Sequence, residues 1–293
     1  MDALYICGPT ASGKSAAALT LARHLHGELV NADAFQLYRG LETLTAAPSP
    51  AEREEAPHHL YGILHPAAPS DAASYRALAL PVLEDIRRRG KLPIVVGGSG
   101  LYLKFLTHGP SDLPPGDPAL RRELDALSLD QLNQRLASLD PKTAATIDQQ
   151  NPRYVQRALE ICLLTGQPAS QLRQSFSTDP PGLTGLSLQW SAEDLAQRIA
   201  TRCHLILDSG AIDEVAALPP DVGTAAKAIG VPEIRALLAG TLTREECEER
   251  LLIATRQYAK RQRTWFRREH WLTTLPAPFT EAALLAFLAE ATS

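Results

Sequence analysis

Residues 4–15 decide the fold, and they read Leu4-Tyr5-Ile6-Cys7-Gly8-Pro9-Thr10-Ala11-Ser12-Gly13-Lys14-Ser15. Apolar residues precede a glycine-rich loop, and a run rich in alanine and leucine follows it. The loop fits the phosphate-binding pattern G-x-x-x-x-G-K-[ST], which joins a strand to a helix. The segment therefore predicts a strand at 4–7, a helix over about 14–25, and an anion site between them.

The next residues continue the alternation of strands and helices. A second strand is predicted at 28–32, a helix over about 74–89, and an apolar strand at 92–96 that leads into Gly97-Gly98-Ser99-Gly100. Strands separated by helices are typical of a parallel sheet. The predicted fold class is therefore α/β, with a parallel sheet flanked by helices as in P-loop NTPases.

A different pattern begins near Pro110, where proline, glycine and aspartate become frequent. Helices with short breaks are predicted from there to about residue 180, including one that begins at Asn151-Pro152 and ends at Gly166. We therefore expect a catalytic core formed by residues 1–110 and 181–293, with an inserted helical lobe at 111–180. Two further helices are predicted over about 191–210 and 243–268.

The composition is that of a water-soluble protein: 45% of the 293 residues are hydrophobic and 21% are charged. No apolar run reaches the roughly 20 residues that cross a bilayer. We therefore expect a cytoplasmic protein without membrane contact. Four scattered cysteines without metal-ligand spacing predict buried, reduced thiols. The net charge of −4 gives no sign of nucleic-acid binding, so RNA contact requires local basic patches.

The glycine-rich loop offers three kinds of group to phosphate. Its backbone N–H groups and the helix dipole bind oxygens, Lys14 adds a charge, and the Ser15 hydroxyl suits Mg²⁺. The candidate phosphate-binding residues are Gly8, Thr10, Ala11, Ser12, Gly13, Lys14 and Ser15. The loop alone leaves open whether the phosphates belong to a nucleotide or to another diphosphate.

Asp33 and Ser99 each follow a predicted strand. Ligands of parallel sheets bind at the carboxyl ends of the strands, so both side chains are expected to face the phosphate loop. A carboxylate there can act as a general base or bind Mg²⁺. Aspartate and serine are also common as turn residues and helix caps, so both interpretations remain open.

The last predicted helix has glutamates in its first turns and basic residues at its end. That order suits the helix dipole. Four of the basic residues also recur on one face, with Tyr258, Trp265 and Phe266 interleaved, which would suit an RNA backbone. These four are Arg256, Lys260, Arg263 and Arg267. The helical lobe carries weaker pairs, Arg121 with Arg122 and Arg153 with Arg157.

Taken together, the motifs resemble those of the tRNA dimethylallyltransferases, also called isopentenyl-diphosphate:tRNA transferases. The matching segments are G-P-T-A-S-G-K-S at 8–15, N-A-D-A-F-Q-L-Y-R-G at 31–40, P-H-H-L at 57–60, V-G-G-S-G-L-Y-L-K at 96–104, N-P-R-Y-V-Q-R-A-L-E at 151–160, A-I-G at 228–230 and A-T-R-Q-Y-A-K-R-Q-R-T-W-F-R at 254–267. The resemblance implies that the loop binds the diphosphate of dimethylallyl diphosphate with Mg²⁺, without ATP. The implied acceptor is the N6 nitrogen of the adenosine just 3′ of the tRNA anticodon, flipped out of its stack.

The resemblance also implies roles for particular residues. Asp33 corresponds to the general base, Ser99 to a hydroxyl near the reacting centre where threonine is usual, and Arg198 to an arginine that assists the leaving diphosphate. The tRNA-contacting residues suggested by the resemblance and the basic surfaces are Asp33, Ala34, Phe35, Gln36, Ser99, Arg121, Gln156, Arg157, Arg256, Lys260 and Arg263. The helical lobe would hold the anticodon stem-loop, and a monomer would suffice.

The chain departs from the family pattern at four positions. Ala34 replaces a common serine, Leu44 a glycine, Ala47 a lysine and Val231 a tyrosine, which bears on substrate contacts rather than on the reaction class. Two other enzyme classes remain open: a small-molecule P-loop kinase and a prenyltransferase of free adenine nucleotides. A non-catalytic RNA-binding protein is a third alternative. The sequence offers no clear second strand ending in a Walker-type aspartate, which weighs against the kinase.

Overall fold

The computed structural model describes residues 2–109, 113–172, 179–180 and 182–292. Its strands are β1 (Leu4–Cys7), β2 (Glu28–Asn31), β3 (His58–His59), β4 (Pro93–Gly97), β5 (Thr184–Gln189) and β6 (Leu272–Pro276). Its helices are α1 (Lys14–Leu25), α2 (Glu42–Thr45), α3 (Pro50–Glu55), α4 (Ala72–Arg88), α5 (Gly100–His108), α6 (Pro118–Asp125), α7 (Leu129–Leu139), α8 (Pro141–Thr146), α9 (Pro152–Thr165), α10 (Ala169–Leu172), α11 (Ala192–Asp208), α12 (Ala211–Ala216), α13 (Val231–Leu238), α14 (Arg244–Phe266) and α15 (Glu281–Thr292).

The strands form one parallel sheet in the order β3-β2-β4-β1-β5-β6. The strands β1, β2 and β4 are buried along their whole length, because helices cover both faces of a parallel sheet. The edge strand β6 is largely exposed. The predicted α/β class with a parallel sheet is confirmed.

Alternate residues of the central strands enter two different cores. Tyr5 and Val95 pack on one face, where the covering helices are α4 and α5. Ile6 and Ile94 pack on the other face, against α1 and α15. This alternation follows from the two-residue period of a strand. A third apolar cluster joins α11, α13 and α14 to the segment that follows β2.

Three loops leave the sheet at the same edge. Because the strands are parallel, the residues that follow β1, β2 and β4 emerge side by side. These residues are the glycine-rich loop, the segment that contains Asp33, and the segment that contains Ser99. The sheet topology thus assembles the three candidate segments without any long-range sequence signal.

The chain divides into two compact units. One comprises Met1–Thr107 and Pro180–Ser293 and contains the sheet, whereas the other comprises His108–Asp179 and contains helices α6 to α10. The helical unit has its own core, in which Leu132 and Leu136 of α7 pack with Val155 and Leu159 of α9.

Two further expectations concern the whole chain. The four cysteines are buried and free, as predicted. None of the helices in the described residues combines the length and the apolar character that a membrane span requires.

A buried carboxylate joins two short helices of the helical unit. Asp140 accepts hydrogen bonds from the Thr143 backbone N–H at 3.0 Å and from the Ser170 backbone N–H at 2.7 Å. It also accepts one from the Ser170 hydroxyl at 2.8 Å. Burial raises the pKa of Asp140, but the hydrogen bonds outweigh burial and hold the pKa at about 2.

We expect Asp140→Asn to destabilise the helical unit by about 1–3 kcal/mol at neutral pH. The asparagine would place an NH2 group, which can only donate, where a carboxylate oxygen now accepts hydrogen bonds. The folded-state pKa lies below the unfolded value of 3.8, so the stabilisation is present above about pH 4 and is lost as the pH falls toward 2. Hydrogen exchange of α8 and α10 at several pH values measures this. The exposed Asp130→Asn is the matched control, and equal protection in both variants would contradict the expectation.

Candidate active site

The glycine-rich loop is folded with its carbonyl groups held by side chains. The Pro9 carbonyl accepts from Lys14 Nζ at 2.8 Å, that of Ala11 from Arg198 Nε at 2.7 Å, and that of Ser12 from Trp190 Nε1 at 2.9 Å. Gly13 precedes α1 with a φ of 89°, and no side chain caps the helix. The first N–H groups of α1 are therefore available to an anion.

Two cavities adjoin this loop. The first, of about 100 Å³, is lined by Thr10, Lys14, Ser15, Asp33, Phe35, Gln36, Leu44, Thr45, Ala46, Val96, Gly97, Arg202, Cys203, Ile206, Ala228, Ile229, Leu251, Thr255 and Tyr258. The second, of about 600 Å³, is lined by Ala11, Gly13, Lys14, Ser15, Ala16, Ala46, Ala47, Glu52, Gln197, Arg198, Thr201, Arg202 and Leu205. Lys14, Ser15 and Arg202 line both and thus lie where the two cavities meet.

Lys14 and Asp33 line the same cavity, as the sequence predicted. Burial lowers the pKa of Lys14 to about 8, and the negative charge of Asp33 opposes that shift. Burial also lowers the pKa of Arg202, again with Asp33 opposing the shift. The cavity thus brings one carboxylate close enough to two cations to affect their protonation.

Asp33 also forms the turn that the sequence left open as an alternative. Its Oδ1 accepts from the Phe35 backbone N–H at 3.1 Å, and its own N–H donates to Asn31 Oδ1 at 2.7 Å. The Asn31 amide in turn donates to the carbonyls of Asp33 and Leu60, each at 3.0 Å. The turn therefore fixes the carboxylate at the cavity wall, and the two interpretations of Asp33 are compatible.

Ser99 joins the Asp33 segment to the loop after β4. Its Oγ accepts from the Ala34 backbone N–H at 2.9 Å, and it lies immediately before α5. Tyr258 of α14 lies close enough for the Ser99 side chain to affect the pKa of its hydroxyl. Burial raises the pKa of Tyr258, and the charge of Asp33 raises it further, so the phenol remains protonated at neutral pH.

The two arginines of α11 have different surroundings. Arg198, predicted from the sequence, lies beside the second cavity and its guanidinium carbon is 4.3 Å from the centre of the Trp190 ring. Arg202 follows one turn later, lines both cavities, and donates from Nη2 to the Thr45 carbonyl at 3.2 Å. The sequence analysis did not single out Arg202, although its four-residue spacing from Arg198 would have placed it on the same helix face.

The remaining predicted residues of the loop segments have distinct positions. Phe35 and Gln36 line the first cavity, and Gln36 Nε2 donates to the Thr45 and Ala46 carbonyls, each at 3.0 Å. Ser12 is fully buried and its backbone N–H donates to the Pro9 carbonyl at 3.2 Å, so its predicted contact with phosphate is not formed in this arrangement. Leu44, Ile206 and Leu251 give part of the cavity wall an apolar character.

The helix α14 has two different faces. The basic residues Arg256, Lys260 and Arg263 are exposed, as the proposed stripe requires. The adjacent side is buried at Thr255, Ala259, Gln262 and Phe266. The sequence analysis did not identify Thr255, Tyr258 and Gln262 as site residues, although their spacing of three and four residues marks a common helix side.

The predicted RNA-contacting residues of the helical unit are engaged with acidic side chains. Arg121 Nε and Arg157 Nη1 donate to the buried carboxylate of Glu160 at 2.9 and 2.5 Å. Burial raises the pKa of Glu160, whereas these hydrogen bonds lower it, and the net shift is downward. Gln156 Nε2 donates to Asp125 at 2.8 Å. All of these residues belong to the His108–Asp179 unit.

The donor set beside the loop fits one Mg²⁺ ion shared with a phosphate. Mg²⁺ commonly takes only one or two protein oxygens and completes its shell with phosphate oxygens and water. The Ser15 hydroxyl and the Asp33 carboxylate both line the first cavity. Among the described residues, no cluster of three or more His, Cys, Asp or Glu side chains forms a dedicated metal site.

Comparison with known proteins gives consistent matches. A family model described as IPP transferase matches residues 36–269. A tRNA dimethylallyltransferase of Akkermansia muciniphila is 48% identical over 94% of this chain and 93% of its own length.

Solved structures agree with these matches. The tRNA isopentenylpyrophosphate transferase of Bacillus halodurans superposes with a TM-score of 0.72 at 33% identity, covering 99% of this chain and 97% of that one. A eukaryotic dimethylallyltransferase described as acting on tRNA superposes with a TM-score of 0.75 at 30% identity, covering 94% and 73% of the two chains.

We expect the binding of inorganic diphosphate to weaken as the pH rises above 8. Lys14 loses its proton there, since burial lowers its pKa to about 8, and the loop then offers one positive charge fewer. The dissociation constant should rise up to about tenfold per pH unit. Calorimetric titration of the wild type and of Lys14→Arg, which keeps its charge, separates this effect from titration of the ligand. Parallel pH curves for the two proteins would exclude Lys14 as the titrating group.

Proposed function

The chain belongs to the IPP transferase family, and we propose that it transfers the dimethylallyl group of dimethylallyl diphosphate to the N6 nitrogen of an adenosine next to the tRNA anticodon. One observation carries the proposal: Lys14, Arg202 and Asp33 line a single cavity at the carboxyl ends of the parallel strands. The cavity offers an anion site on one side and a proton acceptor on the other. Transfer of an allyl group from a diphosphate to an amine requires both.

The leaving group is a multiply charged diphosphate. The bond between the allylic carbon and the diphosphate oxygen breaks, and both bonding electrons leave with that oxygen. The first N–H groups of α1, the Lys14 ammonium and the Arg202 guanidinium bind the negative charge that develops there. Arg198 keeps its predicted role of assisting the diphosphate and also anchors the loop through the Ala11 carbonyl.

The acceptor nitrogen must lose a proton as it forms its new bond. The exocyclic amine of adenine is a weak nucleophile, because its electron pair is delocalised into the ring. Asp33 accepts the N6 proton while nitrogen bonds to the allylic carbon, a step that typically contributes 10²–10⁴-fold to a rate. The Ser99 hydroxyl and the Ala34–Gln36 segment would contact the same base. The apolar wall formed by Leu44, Ile206 and Leu251 suits the hydrocarbon part of the donor.

The proposal includes one Mg²⁺ ion, held by the Ser15 hydroxyl and by oxygens of the donor. When bound, it would neutralise charge on the diphosphate. In this proposal Asp33 does not bind the metal and acts as the general base, since a carboxylate bound to a metal is a weaker base.

The RNA would contact two basic regions. Arg256, Lys260 and Arg263 form an exposed stripe on α14, and Arg121, Gln156 and Arg157 lie in the helical unit. Arg121 retains more than half of its side-chain surface, so it can contact phosphate while it is paired with Glu160. The helical unit would hold the anticodon stem-loop by its shape and by its unstacked bases.

The names of the relatives favour this function over the alternatives. Each relative named above is described as acting on tRNA, whereas a small-molecule kinase or a prenyltransferase of free adenine nucleotides would not be. The proposal includes a cytoplasmic location, where tRNA is found. It also includes a monomeric enzyme.

We expect Asp33→Asn to lower the transfer rate by 10²–10⁴-fold, because the amide cannot accept the N6 proton. Its affinity for tRNA should stay within a few-fold of wild type. Mass analysis of digested tRNA after incubation with dimethylallyl diphosphate and Mg²⁺ measures the rate. Asp2→Asn, an exposed residue at the opposite end of β1, is the matched control. Full activity of the Asp33 variant would remove this residue from the mechanism.

We expect the triple variant Arg256→Gln, Lys260→Gln and Arg263→Gln to bind an anticodon hairpin more weakly and with less salt dependence. Three lost phosphate contacts should reduce the slope of log affinity against log salt by about 2. Filter binding at several salt concentrations measures the slope. In the control variant the exposed residues Arg87, Arg88 and Lys91, which precede β4, are changed to glutamine. An equal loss in both variants would mean that α14 has no special role in RNA binding.

A further inference from the structure

We propose that Gln262 is a positioning residue for the transfer: it fixes the diphosphate-binding loop in register with Asp33 and Ser99. The inference deepens the proposed function and rests on it. Gln262 lies on α14 with its side chain buried, on the helix side adjacent to the exposed basic stripe. It lines neither cavity, so its role would be exerted through other residues.

The Gln262 amide bridges two loops that belong to different strands. Its Oε1 accepts from the Thr10 backbone N–H at 2.8 Å, and its Nε2 donates to the Gly98 carbonyl at 2.9 Å. Thr10 belongs to the loop after β1, and Gly98 to the loop after β4. These contacts join residues that lie 252 and 164 positions from Gln262 in the sequence.

The bridge continues to the proposed base. Gly98 is followed by Ser99, whose Oγ accepts from the Ala34 N–H, and Ala34 follows Asp33. The side chains of Ser99 and Gln262 also lie close enough to the Tyr258 hydroxyl to lower its pKa, which burial raises. A connected set of hydrogen bonds therefore runs from the loop that would hold the leaving group to the segment that would hold the proton acceptor.

Packing leaves the bridge no room to adopt another geometry. A Cβ atom at Gly98 would lie 2.2 Å from Gln262 Nε2, and one at Gly100 would lie 2.3 Å from the Trp265 ring. The loop after β4 thus packs closely against α14, which explains why positions 98 and 100 are glycines. A glutamine is needed because its one amide both accepts and donates, whereas methionine has neither capacity and ionised glutamate only accepts.

This geometry affects alignment more than ligand affinity. Gln262 occupies the Thr10 N–H, and its removal takes no group away from the diphosphate. The loop would instead shift relative to Asp33, and a misplacement of about 1 Å between reacting groups can cost about 100-fold in rate. The same turns of α14 carry Lys260 and Arg263, so bound RNA and the diphosphate loop would be fastened to one helical segment.

The test compares Gln262→Met with Gln257→Met, an exposed glutamine on the same helix. For Gln262→Met we expect kcat to fall about 10- to 100-fold, with the KM for dimethylallyl diphosphate and the Kd for an anticodon hairpin within about threefold of wild type. The control should match wild type in all three. An unchanged kcat would overturn the proposal, and so would a loss of both affinities in proportion to kcat, which indicates a generally weakened fold.

The variant Gln262→Glu gives a second test that also applies if the methionine variant does not fold. Only a protonated carboxyl group can donate to the Gly98 carbonyl while it accepts from Thr10, so its kcat relative to wild type should rise as the pH is lowered from 8 to 6. A pH profile parallel to that of wild type would overturn the proposal. Absence of transfer by the wild type and by Gln257→Met would instead refute the proposed function itself.

Discussion

The site depends on holding one carboxylate and two cations together in a partly desolvated cavity. Burial is the largest cause that lowers the pKa of Lys14 and of Arg202, and the charge of Asp33 counteracts it in both cases. A diphosphate bound by the same cations would add negative charge and favour their protonated forms further. The two cations therefore suit an anionic donor, while the carboxylate remains available to a proton.

The second constraint is the rigidity of the loops that carry these charges. The loop after β1 has its carbonyls bound by Lys14, Arg198 and Trp190, while the first N–H groups of α1 remain available to an anion. Gln262 then ties this loop to the segment that includes Ser99. Preorganised dipoles of this kind need no reorganisation during the reaction, which is the main source of electrostatic catalysis.

In the helical unit, the same arginines can stabilise the fold and also bind RNA. Glu160 is buried and binds Arg121 and Arg157, so these arginines stabilise the unit whether or not they touch RNA. Removing either would leave a buried carboxylate with fewer partners, at a cost to folding. Reduced RNA affinity in an arginine variant must therefore be compared with its stability.

The sequence by itself determined the parallel sheet, the helix α1, the phosphate loop and the position of Asp33 beside it. These follow from local patterns, because strand topology fixes which end of each strand carries the loops. The strands β5 and β6 and the helix α15 were not predicted. Polar residues and glycine interrupt the leucines of β5 and β6, so neither strand forms an apolar run, and α15 is placed by packing in the core that also contains α1. Only the tertiary structure placed Arg202 between the two cavities and Gln262 between the two loops. Both depend on which side of a long helix meets the sheet, and that is decided by packing between residues far apart in the chain.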